Sequence, residues 1–114
     1  MAFRNLPKSE WRGFFDRMSG PLLGKRAEIE VASLDLGDQV VDEWLPMIGI
    51  TYDSQDDLVD VALDRLNHFI RQPKEIMVDE AADGLASVAV VDGEGARHVV
   101  RLKEPLALPP AGAA

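Results

Sequence analysis

The chain contains no cysteine, only two histidines and one tyrosine, and no lysine or arginine between residues 27 and 64. Without cysteine there can be no disulfide scaffold, no thiolate-held zinc and no thiol nucleophile. No apolar run approaches the ~20 residues of a membrane-spanning helix. The opening Met1-Ala2-Phe3-Arg4-Asn5-Leu6-Pro7 lacks the apolar stretch of a signal peptide. A cytoplasmic protein is the expectation. What is present is ordinary for a globular domain: 46% apolar and 28% charged residues over 114 positions. A single domain of this length buries roughly two-thirds of its unfolded surface, enough for a core without a metal or disulfide staple.

Residues 9–19 carry a helical period. Trp11, Phe14, Phe15 and Met18 fall at i, i+3, i+4 and i+7, with Glu10, Arg12, Asp16 and Arg17 opposite. Ser9 suits an N-cap, and Gly20-Pro21 reads as a stop. The aromatic face suits a lid on the protein's own sheet; a partner-docking face is the alternative. From Ala27 the period changes to two: Ala27, Ile29 and Val31 alternate with Glu28 and Glu30, a half-buried strand. Residues 34–46 fit either a short helix capped by Asp38 or a bent strand, ended or edged by Pro46.

Met47–Tyr52 and Leu58–Leu63 form a hairpin through the polar turn at residues 53–57, with Ile48, Ile50 and Tyr52 expected on one face. Residues 69–70 and 76–79 are short strands. Ala81–Gly84 is a turn, and residues 87–91 and 97–103 make a second hairpin through Asp92-Gly93-Glu94-Gly95. These elements predict an α+β domain over residues 1–104. An N-terminal helix would pack on a bent, mostly antiparallel sheet or small open barrel of five to seven short strands. The Pro/Ala-rich residues 105–114 are expected to form a disordered tail, with Leu106 and Leu108 candidates for docking.

One string of residues is specific enough to compare with known families. It runs from Glu30–Gln39 through Glu43-Trp44-Leu45-Pro46, Gly49–Asp53 and Asp57–Leu63. It continues with Leu66, His68, Ile70 and Pro73, then Ile76, Val78, Asp79 and Glu80. Together these resemble a family of small bacterial proteins, the domain-of-unknown-function family numbered 5335, from about Trp11 to Leu106. The resemblance implies a bacterial stand-alone domain and brings with it no activity, cofactor or site residue.

The residues themselves carry little catalytic signal. Gly20-Pro21-Leu22-Leu23-Gly24-Lys25 has too few residues between its glycines for a phosphate loop, and Arg26 stands where Ser or Thr would hold magnesium. Gly93-Glu94-Gly95 begins a dinucleotide fingerprint, but His98 occupies the third glycine position. Hydrolytic chemistry based on His68 or His98 needs an orienting carboxylate and a nucleophile, and Ser33, Ser54 and Ser87 lie in no signal-bearing context. Both histidines therefore read as surface or partly buried strand residues. The expectation is a non-enzymatic protein with no cofactor, and a cryptic hydrolase ranks third.

Charge distribution is the one distinctive feature. Residues 1–26 carry six Lys/Arg and two acids, residues 27–64 eleven acids and no base, and residues 65–114 six bases and seven acids, for a net −8. A surface of this kind repels phosphates and anionic lipid, which disfavours nucleic acid and membrane. Its candidate role is recognition of a basic protein partner through Glu28, Glu30, Asp35, Asp38, Asp42 and Glu43, with Trp44 as an apolar anchor. A solvated skin that keeps the protein soluble is the plain alternative. Asp53, Asp56 and Asp57 are candidate oxygen ligands for a divalent cation, and a cation- or small-ligand-binding domain is the alternative function. Exposed strand edges would allow homo-oligomers, but nothing in the sequence points to one.

Overall fold

A computed structural model describes residues 3–33, 37–81 and 84–107, giving only the backbone of Val41, Asp42 and Ala81. Alternation of apolar and polar residues is realised as β1 (Phe3–Asn5), β2 (Arg26–Ser33), β3 (Gly37–Asp53) and β4 (Leu58–Leu63), then β5 (Leu66–Arg71), β6 (Glu75–Ala81), β7 (Gly84–Val91) and β8 (Arg97–Leu106). One helix, α1 (Lys8–Leu22), stands among the described residues. It is neither long nor apolar enough to cross a membrane. The strands form one sheet in the order β1-β6-β7-β8-β2-β3-β4-β5, with every neighbouring pair antiparallel.

The expected α+β domain of five to seven short strands is therefore corrected to a mostly-β fold of eight strands and one helix. Two segments account for the difference. Residues 37–46, whose pattern fits helix or strand, are extended and form the first part of the 17-residue β3. Phe3–Asn5, too short to show any period, pairs with β6 at the sheet edge. The choice between helix and strand in an ambiguous segment is made by the neighbouring ladder, and that neighbour is distant in sequence.

β3 serves two ladders in succession. It pairs with β2 as far as Arg26↔Pro46 and with β4 from Met47↔Leu63 onward. Pro46 has no amide hydrogen, and it sits where one ladder ends and the other begins, so little pairing is lost. Trp44 takes a positive φ of 55° just before this junction. A register shift then follows between Met47 and Gly49. This bulge turns Ile48 out to 55% exposure while Met47, Ile50 and Tyr52 stay in the core. Ile48 therefore does not share a face with Ile50 and Tyr52.

The hairpins expected at residues 47–63 and 87–103 form as β3–β4 and β7–β8. The turn at Ala81–Gly84 includes residues outside those described, as does the tail from residue 108. Leu106 is buried at the end of β8.

Helix α1 buries Trp11, Phe14, Phe15, Met18 and Leu22 against the inner face of the sheet. Complete burial of Phe15 contributes about 1.5–3 kcal/mol. The helix starts after Pro7, which makes no side-chain cap, so Ser9 lies inside it. It also runs through Gly20 and Pro21 to Leu22. Pro21 forfeits only the bond its amide would have made to Arg17, a small loss in a last turn. Ser19 explains why the helix sits where it does. Its hydroxyl accepts from the Ile50 amide at 3.2 Å and lies 2.8 Å from the Ile50 carbonyl. β2 no longer pairs with β3 at this point, and the hydroxyl satisfies an edge that would otherwise be bare.

Candidate functional site

A polar chain runs through the apolar interior. In β8, His98, Val100 and Leu102 alternate toward the core; in β5, His68 and Ile70 do the same. Strand parity alone thus brings both imidazoles inward. β5 and β8 are separated in the sheet by β2, β3 and β4. His68 Nε2 nevertheless lies 2.9 Å from His98 Nδ1. The sheet must curl until its β5 edge returns over β8. The Gly93 amide, donating to the Arg71 carbonyl at 3.2 Å, joins the same edge to the β7–β8 loop.

The far nitrogen of His98 is held by that loop. Nε2 lies 2.8 Å from Asp92 Oδ2, while Asp92 Oδ1 accepts from the amides of Glu94 at 2.9 Å and Ala96 at 3.0 Å. Burial alone would push the Asp92 carboxyl up. The hydrogen bond from His98, the two amides and the His98 charge outweigh it and bring the pKa below its ordinary value of 3.8. With Asp92 ionised, His98 Nε2 carries the proton. One hydrogen bond then links His98 Nδ1 to His68 Nε2, its direction set by the tautomers of the two rings.

A carboxylate that fixes the tautomer of a buried imidazole, which in turn faces a second, is the geometry of an oriented base and of a proton path. Two of the three candidate nucleophiles stand elsewhere. Ser54 is exposed in the β3–β4 turn, and Ser87 lies on the opposite face of the sheet from the His98 ring. Ser33 ends β2 beside Gly37. A cleft of about 480 Å³ opens beside Asp92, lined by Asp56, Phe69, Arg71 and Gln72. The chain was legible only in part. Parity points both rings inward and Asp92 has a turn-forming context, but the His68–His98 contact spans 30 residues and leaves no local trace.

The acids of residues 27–64 divide into distinct environments. Glu28 and Glu30 are tied to one base, with Arg101 Nη1 2.7 Å from Glu28 and Nη2 3.2 Å from Glu30. Asp53 is spent on its turn, accepting from the amides of Gln55 and Asp56. Asp57 accepts from the Tyr52 hydroxyl at 2.8 Å. Burial first, then that bond and the charges of Asp57 and Asp53, raises the Tyr52 pKa above 10.0. Asp60 accepts from Asn67. Asp38, Glu43, Asp56 and Asp64 are exposed and form no ion pair among the described residues.

Trp44 is half-buried, with Lys103 Nζ 5.9 Å from its ring centroid. Asp42 is in β3 opposite Ile29, its side chain outside the description, and Asp35 lies outside the described residues altogether. Among the described residues, no three His, Cys, Asp or Glu side chains converge to hold a metal ion, Asp53, Asp56 and Asp57 included.

The model of a family described as a family of unknown function, DUF5335, matches residues 2–111. An uncharacterized protein of Aquifex aeolicus (strain VF5) is 36% identical over 110 residues, which cover 96% of this chain and 99% of the relative. No solved structure matches the chain. The match to the family model over nearly the whole length, together with that relative, places the chain in the family of unknown function DUF5335.

Proposed function

We propose that the chain is a non-enzymatic protein-interaction module that meets a basic partner on the outer face of β3, β4 and β5. One observation carries this reading. Ile48 and Phe69 stand 55% and 47% exposed on that face; Phe69 lies opposite Asp60 and shares a cleft with Asp56. Thr51, Asp60 and Phe69 occupy one cross-strand row, so aromatic and carboxylate are direct neighbours. Exposed apolar side chains set among acids combine an anchor with a charge that speeds encounter and fixes orientation. Arg71 stacks near Phe69, its guanidinium 6.0 Å from the ring centroid, and bounds the patch at one end. The carboxylates nearer β8 are already neutralised by Arg101 and contribute less.

The test is an NMR titration with a Lys/Leu amphipathic peptide at low and high salt. Amide shifts should concentrate on β3–β5 and fade with salt. They should weaken in F69A and in the D53N/D56N/D60N triple variant. Shifts scattered over the molecule, or binding unchanged in both variants, would remove this reading.

A further inference from the structure

The face of the sheet turned away from α1 carries a groove with unspent polar groups. Register places Phe3, Asp79, Ser87, Arg101 and Glu28 in one row across β1, β6, β7, β8 and β2. The row faces outward, because the alternating positions Val78, Val88, Val100 and Ile29 lie in the core. Asp79 is nevertheless only 3% exposed, and its Oδ1 has no hydrogen-bond partner among the described residues. Arg97 does not serve it. Its guanidinium lies 5.5 Å from the centroid of the Phe3 ring, and it makes no ion pair among the described residues. Asp79, Arg97, Lys103 and Asp38 line a common groove of about 540 Å³ over a floor that includes Ala86 and Val99.

We propose that this groove binds a small zwitterion with a protonated amine and a carboxylate, an amino acid or short peptide. The amine donates to Asp79, and Arg97 and Lys103 hold the carboxylate. A buried acceptor without a donor is costly, and a donor arriving from outside relieves it. An anion alone would meet Asp79 and Asp38. A cation alone would leave Arg97 and Lys103 without a counter-charge. Arg101 is already engaged by Glu28 and Glu30 and borders the groove. A ligand with both charges matches the groups of both signs that line the groove.

The experiment titrates the full chain with Ala-Ala, acetyl-Ala-Ala and Ala-Ala-amide, followed by amide shifts. Ala-Ala should shift Phe3, Asp79, Ser87 and Arg97 at millimolar concentration. Removing either charge should weaken it by about ten-fold or more, as should D79N, which is isosteric and keeps the fold, and R97A. Silence in this region with Ala-Ala, equal binding of the blocked dipeptides, or undiminished binding by both variants would overturn the proposal.

Discussion

Asp92, in the β7–β8 loop, and Asp79, in β6, are both largely withdrawn from water, yet they are treated in opposite ways. Asp92 accepts from an imidazole and two backbone amides. Asp79 Oδ1 accepts from nothing among the described residues. Asp92 sits in a tight loop whose own amides point at it, and its imidazole partner arrives six residues later on the returning strand. Asp79 sits in mid-strand, where its backbone is committed to the ladder and its neighbours across the sheet are Phe3 and Ser87. A satisfied buried acid holds structure together, whereas an unsatisfied one is retained at a cost to stability, which points to use.

The largest effect should come from D92A, which strands the His98 ring nitrogen and two amides. A loss of about 2–4 kcal/mol is expected in urea unfolding. A loss below about 0.5 kcal/mol would show that water replaces the carboxylate and that the contrast is false. D79V should do the reverse, leaving stability unchanged or raising it by about 1–2 kcal/mol, because it removes an acceptor that no described residue serves. A clear loss in that variant would make Asp79 a structural partner.

The pH dependence separates the two next. The folded pKa of Asp92 is depressed, so its contribution is complete above the ordinary value of 3.8 and is lost as pH falls through the lower folded value. Acid unfolding of the wild type should therefore carry a component below pH 3.8 that D92N lacks and D79N retains, read by circular dichroism. The smallest effect belongs to R101A. Its contacts to Glu28 and Glu30 are partly exposed, and about 0–1 kcal/mol should be lost, falling further in high salt.

The strands were legible where alternation was clean. Ile29 within β2, Val59 and Val61 in β4, and Val100 and Leu102 in β8 each mark an inward face in the sequence and occupy one in the fold. The aromatic stripe of α1 was equally clear. Legibility failed at β3, where a proline and a bulge interrupt the period, and at β1, which exists only because β6 is beside it. For the candidate sites, the acids were visible but not their partners. Nothing near Glu28 announces Arg101, 73 residues away.

Residue chemistry and spacing by themselves determined that this chain makes short antiparallel hairpins under an aromatic helix, with a cation-free middle, because those properties depend on neighbours within a few positions. Tertiary structure alone decided which carboxylates are neutralised, which is held by an imidazole and which is left bare. Those outcomes depend on pairs of strands that meet only when the sheet curls. A charge surrounded by low dielectric is governed by what lies within a few ångströms of it, whatever its distance along the chain.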